Sequence, residues 1–418
     1  MLIVQENRSF DNLFGTFPGV HGATSGYFLK KVGGKYVRTA VTLKKVALAG
    51  GLDINHNSVA YNYACDGQNT YPKTACDMDG FNLEGINGQN PAGTYPYQYI
   101  DPADIKPYWD LAKQYAIADD LFQTQGSGSF TAHQDLVAGG TALDPTDSLI
   151  DYPSNFTNWG CNAAKGTKTT LLTTAGQYRP DKGPFPCLTY PTSTLRDLLD
   201  AKGVSWKYYT PPYKSSTQGA LWNAFAAIKA VYDGPEWNTN VIIPETTIFT
   251  DLQNGGLPAL SWVIPSQDNS DHPGGPQSPD NGPEWVASVV NAIGKSDYWK
   301  STAIVILWDD WGGYYDHVPP AFFDDAGGLG FRVPLVVVSP YTPKGRIVHA
   351  QYEFGSIMKF VEQTFALGSM GTTDVRATAI GGMFDFKQKP RRYVAIPSKL
   401  PIRHFMNERP SYKPVDRE

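Results

Sequence analysis

Glu6, Asn7, Asp309 and Asp310 are the residues of this 418-residue chain whose types and placement most directly imply chemistry. Glu6-Asn7 follows the apolar run Leu2-Ile3-Val4, and Asp309-Asp310 follows Ala303-Ile304-Val305-Ile306-Leu307-Trp308. Both runs read as buried strands, and open α/β sheets place ligand chemistry just beyond strand ends. Two strand ends would bring three carboxylates and an amide to one point, an oxygen set suited to a hard divalent cation. Neighbouring acids repel, and a cation between them relieves that repulsion. The Asn7 amide can instead donate its NH2 to an oxygen of an anionic substrate.

A nucleophile and proton carriers are also present. Ser129 lies in Gly126-Ser127-Gly128-Ser129-Phe130-Thr131, where glycines allow a tight turn and close backbone approach. Its hydroxyl is a poor nucleophile until a base or a metal ion activates it, so Ser129 belongs with the metal set. Ser127 and Thr131 are the alternatives. Of seven histidines, His272 follows Asp271 and His317 follows Asp316, each acid able to hold the ring beside it. His133 and His349 have no defined role at this level, and His21 and His404 read as structural or surface residues.

The elements that must position these residues alternate. Strands are expected at Leu2–Gln5, Leu260–Pro265, Ala303–Trp308 and Val333–Ser339, the last two apolar throughout as in strands covered on both faces. Helices are expected at Ile105–Tyr115, Ser193–Lys202, Pro283–Ile293 and Tyr352–Phe365, the last with a 3–4 apolar spacing. This alternation implies a three-layer α/β/α sandwich with a mostly parallel central sheet. Segments 22–51, 65–99 and 144–191, rich in Gly, Thr, Asn and Pro, interrupt it and read as loops and β-hairpins over the catalytic edge. No linker or repeat divides the chain, so residues 1–418 read as one catalytic domain whose polar end, Lys387–Glu418, wraps the surface.

Composition narrows the classes. Charged residues make up 18% and aromatics 13%, with 41 Gly and 32 Pro, as in an ordered, loop-rich globular enzyme. A net charge of −5 leaves no overall basic footprint, which argues against nucleic acid as a partner. No apolar run is long enough to span a membrane. Cys65, Cys76, Cys161 and Cys187 form no C-x-x-C pair. Local pairing, Cys65–Cys76 and Cys161–Cys187 in surface loops, is expected, as in an exported protein. Its signal peptide would lie upstream of Met1, which begins almost inside the first strand.

The segment Val4-Gln5-Glu6-Asn7-Arg8-Ser9-Phe10-Asp11-Asn12-Leu13-Phe14-Gly15 resembles the opening motif of the bacterial phosphoesterase family of non-specific phospholipases C and acid phosphatases. The resemblance continues through Met78-Asp79-Gly80-Phe81, Gly128-Ser129-Phe130 with Ala132-His133-Gln134, and Asp271-His272-Pro273. It then covers Trp308 through Val318, Phe331-Arg332-Val333-Pro334 and Ser339-Pro340-Tyr341. It implies an alkaline-phosphatase-like core. It also implies hydrolysis of phosphate esters through a phosphoserine at Ser129, with one or more divalent metal ions held by Glu6, Asn7, Ser129, Asp309 and Asp310. His56, His272 and His317 fall in matching motifs and are assigned, with Asn7, to phosphate binding and proton transfer. Some relatives place a further histidine before the Asp-His-Pro motif. Here none lies between His133 and His272, leaving Lys207, Tyr208 or Tyr209 for that space.

The leading expectation is an acid-phosphatase-like phosphomonoesterase acting on a small phosphoester. The runner-up is a phospholipase C cleaving headgroups such as that of phosphatidylcholine, with Tyr61, Tyr63, Tyr152 and Trp159 as cage candidates. A non-catalytic surface- or carbohydrate-binding protein on the same scaffold is the reading from another class.

Overall fold

The structure is a computed structural model describing residues 1–86, 91–155, 158–212, 220–273, 280–322 and 328–409. Eight strands form its central sheet: β1 (Leu2–Gln5), β2 (Ala116–Ala118), β3 (Trp206–Tyr209), β4 (Val241–Ile242), β5 (Leu260–Val263), β6 (Ile304–Trp308), β7 (Leu335–Val338) and β8 (Arg346–Val348). Their order is β4-β3-β5-β1-β6-β7-β2-β8. Only β7 runs against its neighbours; the other pairings are parallel. β1, β5, β6 and β7 are buried at every residue, which explains their unbroken apolar runs.

Seven helices matter for the site: α1 (Phe10–Phe14), α2 (Ser58–Asp66), α3 (Lys106–Gln114), α4 (Ser129–Ala138), α5 (Leu195–Ala201), α6 (Gly282–Gly294) and α7 (Phe354–Phe365). α5 starts at a Thr194/Asp197 capping box, two orphan donors satisfied reciprocally. α7 buries Phe354, Ile357, Met358 and Val361 on one face. In register, Trp262 lies beside Leu2 and Leu2 beside Val305, so Trp308 falls on the opposite face by alternation. The Trp262 indole donates to the Leu136 carbonyl of α4 at 3.2 Å. Trp308 meets Tyr108 of α3 edge to face at 5.0 Å. Helices therefore cover both faces, giving the expected three layers.

The expected strands and helices all appear, with ends shifted by one or two residues. Strands β2, β3, β4 and β8 were not anticipated, because two to four residues are too few to show a period. Helices α2 and α4 were not anticipated either; each ends at a glycine with positive φ, Gly67 and Gly139. Segment 22–51 holds the hairpin Ser25–Val32/Lys35–Thr42, and 144–191 holds a three-stranded sheet. Both disulfides form as expected, Cys65–Cys76 and Cys161–Cys187. Cys65, however, is a buried residue of α2 rather than part of a surface loop. The stretch from Lys387 packs along the body, with Phe405 against Trp285 at 5.4 Å; residues 410–418 lie outside the described residues.

Trp262 is fully buried and ties α4 to the sheet. Trp262→Ala should lower the unfolding free energy by about 3–5 kcal/mol, read by chemical denaturation. A loss too small to measure would show that α4 is held elsewhere.

Candidate active site

Parallel pairing puts the carboxyl ends of β1, β5 and β6 side by side, and the candidate residues leave from those ends. The Glu6 amide donates to the Ser270 carbonyl at 2.8 Å, and the Asp309 amide to Gln5 at 2.9 Å. The Asn7 amide N–H donates to Asp309 Oδ1 at 3.0 Å. Asn7 turns with φ +60° and Asp271 with φ +72°, left-handed values that cost a non-glycine residue energy and concentrate at functional sites. Gly312 makes the Asn7 turn possible. Its φ is +62°, and a Cβ there would lie 2.1 Å from the Asn7 carbonyl oxygen.

Ser129 is the first residue of α4 and is fully buried. Its Oγ donates to Asp310 Oδ2 at 3.0 Å, and its amide donates to the Tyr152 hydroxyl at 3.1 Å. His56 Nε2 lies 3.6 Å from the same Asp310 oxygen. His56 Nδ1 faces the Ile54 carbonyl at 2.7 Å, so that nitrogen carries the proton and Nε2 accepts. Nε2 takes the Asn7 amide at 2.7 Å and the Tyr152 hydroxyl at 3.1 Å. Asp310 Oδ1 accepts the Gly312 amide at 2.8 Å. Four distant segments thus meet at one serine.

Beside this group lies a second one. His133, one helical turn after Ser129 and on the same side of α4, sits between Glu6 Oε1 at 2.9 Å and Asp309 Oδ2 at 3.6 Å. Glu6, His133 and Asp309 are all buried and present ligand atoms within 4.8 Å of one another. The side-chain oxygens Asn7 Oδ1 and Asp309 Oδ2 are buried without a hydrogen bond. Buried acceptors of that kind are costly, and a cation among two carboxylates, an amide oxygen and an imidazole would satisfy them. The donor set fits a divalent metal ion. Burial pushes His133 down to about 4 and His272 down to about 3, so neither supplies positive charge near neutral pH.

The sequence profile of the phosphoesterase family matches residues 1–368. The chain belongs to the phosphoesterase family. A non-hemolytic phospholipase C of Burkholderia pseudomallei is 25% identical over 99% of this chain and 63% of its own length. Phospholipase C B of Mycobacterium tuberculosis is 25% identical over 97% and 80%, and non-specific phospholipase C1 of Arabidopsis thaliana 24% over 96% and 73%. The chain spans between 56% and 63% of the Burkholderia relative and of two Pseudomonas aeruginosa phospholipases C. A solved protein of the alkaline phosphatase superfamily from Vibrio parahaemolyticus overlaps 68% of this chain at 11% identity, with a TM-score of 0.37, too slight to inform the site.

The other expected site residues of this phosphoesterase divide. His272 is buried, its Nδ1 turned to the Pro273 carbonyl at 3.2 Å and its Nε2 without a hydrogen bond. Trp222 lies over its ring at 5.5 Å. Asp271 does not hold the His272 ring; it accepts from Tyr108 at 2.7 Å and Trp308 at 3.0 Å, fixing the backbone instead. His317 corrects the assignment most. Its Nδ1 bonds Asp11 at 2.6 Å, in a cluster with Asp316 and the buried Arg332, and none of its described bonds reaches Ser129, His56 or Asp310. Lys207 and Tyr209 are spent on Asp251 and Tyr208 on the Trp222 carbonyl. The alternative nucleophiles are committed too: Ser127 to Asp151 and Thr131 to the Gly128 carbonyl.

Two residues were missed, His133 and Tyr152. The i, i+4 spacing of Ser129 and His133 signals one helical face, but only once that segment is known to be helical. Tyr152 gave no local signal for its bonds to Ser129 and His56; it arrives from segment 144–191.

The Asp11–His317 pair has a pH signature. Burial pulls the half-buried His317 down, but its hydrogen bond and attraction to Asp11 win and raise it. Burial and Asp316 likewise raise Asp11. The contribution of Asp11 is full only below the ordinary carboxylate range. His317 holds its proton more tightly folded than unfolded, so its contribution is full below its unfolded value of about 6.5 and is lost as pH rises through its folded value. Thermal melts across that range should show His317→Gln flattening the slope; an unchanged slope would remove the pair from the stability balance.

Proposed function

We propose that the chain hydrolyses phosphoric esters with Ser129 as nucleophile, in one catalytic domain. The observation that carries this reading is the Ser129 Oγ–Asp310 Oδ2 bond at the start of α4, with His56 beside the same acid and the Asn7 side chain bonded to His56. Ser129 Oγ attacks phosphorus and passes its proton to Asp310. The Oγ–P bond forms, the bond from phosphorus to the leaving oxygen breaks, and water protonates the departing alkoxide. A second water then attacks the phosphoserine, its proton passing to the bare Nε2 of His272, and Asp310 returns a proton to Ser129. Burial keeps His272 unprotonated, which argues against it as the acid for the leaving oxygen. Asn7 and Tyr152 orient His56, and the positive end of the α4 dipole beside Ser129 favours an anion.

Glu6, His133, Asp309 and the Asn7 side-chain oxygen would hold a divalent cation, with Asp310 and Ser129 as further oxygen donors. Such a cation lowers the pKa of a bound hydroxyl and neutralises charge on phosphoryl oxygens. Mixed oxygen and nitrogen donors keep zinc, manganese and iron as well as harder ions compatible.

On substrate, we favour phosphodiesters of the phospholipase C type, with phosphomonoesters as the second reading. His133 and His272 are uncharged near neutrality, and Arg8 is turned to the Asp271 carbonyl and Asp280. Apart from the proposed cation, these side chains add little positive charge, which suits the single charge of a diester better than the dianion of a monoester. Tyr152 and Trp159, 5.1 Å apart, add an aromatic wall beside Ser129. The names of the relatives point the same way. The filled nucleophile position argues against a purely binding protein. Two disulfides support an exported enzyme.

Ser129→Ala should cut turnover at least about a thousandfold while metal content stays near wild type; normal turnover would overturn the nucleophile assignment. A p-nitrophenyl phosphorylcholine diester and a p-nitrophenyl monoester, assayed side by side, should favour the diester and lose turnover with a chelator. A dominant monoester would install the second reading, and chelator-resistant turnover would remove the cation.

A further inference from the structure

Residues 12–52 contain no Asp or Glu and six cations, Lys30, Lys31, Lys35, Arg38, Lys44 and Lys45, in a chain of net charge −5. Most of this charge lies on the hairpin Ser25–Val32/Lys35–Thr42. Its base is fixed. The Asn82 side chain bonds both the amide and the carbonyl of Leu29 at 3.0 Å, and Gly26 backs onto the Tyr315 ring, where a Cβ would clash. Arg38 pairs with Asp79 at 3.6 Å and Lys45 with Asp101 at 2.7 Å.

The outer half is different. Every residue from Lys30 to Arg38 is exposed. Lys30, Lys31 and Lys35 form no ion pair among the described residues. A Cβ at either turn residue, Gly33 or Gly34, would meet nothing within 4 Å, so the tip projects into open space. Val32 is 54% exposed, Tyr36 52% and Val37 47%, with Tyr27 at 44% nearer the base. These are four of the nine exposed large apolar side chains among the described residues. Lysines alone would serve to blunt a free strand edge. Valines and a tyrosine beside them do the opposite, and they make sense only against a partner both apolar and anionic.

We infer that this hairpin docks the protein on an anionic phospholipid bilayer. Lysines would meet the lipid phosphates, while Tyr36, Val32 and Val37 enter the boundary between headgroups and acyl chains, where amphipathic aromatic side chains accumulate. A nucleic acid would satisfy the lysines but not the aliphatic tip. The hairpin base packs through Phe28 and Val41 against the apolar cluster that includes Tyr61, Trp311 and Phe331, which anchors the projecting tip to the body. The inference goes beyond the proposed hydrolysis and does not rest on it.

The test is co-sedimentation of the whole protein with vesicles of phosphatidylcholine alone and of phosphatidylcholine mixed with phosphatidylglycerol. Binding should favour the mixed vesicles and weaken with salt. Lys30→Glu, Lys31→Glu and Lys35→Glu combined should weaken it at least about tenfold. Tyr36→Ser with Val37→Ser should weaken it while leaving the salt dependence. Ser129→Ala should bind as wild type, which separates this surface from the catalytic reading. Thermal melts matching wild type certify that the hairpin variants fold. Absence of binding to mixed vesicles, equal binding to neutral vesicles, full binding by the triple variant, or capture of duplex DNA in place of vesicles would each overturn the inference.

Discussion

Glu6, Asp309 and Asp310 are fully buried at the ends of two adjacent strands, and most of what surrounds them exists to make that tolerable. Buried carboxylates lose hydration that only hydrogen bonds or opposite charge can replace. Backbone amides of Asn7 and Gly312, the Ser129 hydroxyl and His133 supply part of the replacement. The strained Asn7 turn and the close approach of Gly312 follow from the same need, because they aim amides at acids. What the protein side supplies is mostly neutral, which is the gap the proposed cation would fill.

A second acid cluster shows the alternative solution. Asp11 and Asp316 are just as buried, and Arg332 closes them with bonds to both. That arrangement is self-sufficient and reads as structural cement between α1 and the loop after β6. The Glu6–Asp309 pair instead has a histidine that burial keeps uncharged. A resident arginine marks a finished network; a neutral imidazole between two acids marks one that accepts a further ligand.

The inserted segments are part of the site rather than ornaments. His56 comes from the stretch that follows the hairpin, and Tyr152 from the segment that carries the three-stranded sheet. Their hydroxyl–imidazole bond locks cap to core at the nucleophile. The net charge of the chain concealed one property of these insertions: averaging over 418 residues hides four cations, Lys30, Lys31, Lys35 and Arg38, that stand together on one hairpin.

The sequence by itself determined the strands that carry the acids, the alternation that makes a parallel sheet, both cysteine pairings and the family motifs. These are local or periodic properties, since burial on two faces writes an unbroken apolar run wherever it occurs. Which residues share a site was decided by the tertiary structure. Histidines from matching motifs separated in space, His56 reaching Asn7 and Tyr152 beside Ser129 while His317 went to Asp11. The contacts of His133 and Tyr152 became visible only once the helical phase of α4 and the path of segment 144–191 were known. The reason is physical: a side chain's partner is set by sheet register, helix phase and the path of an insertion, and none of these is encoded in the residue's own neighbours.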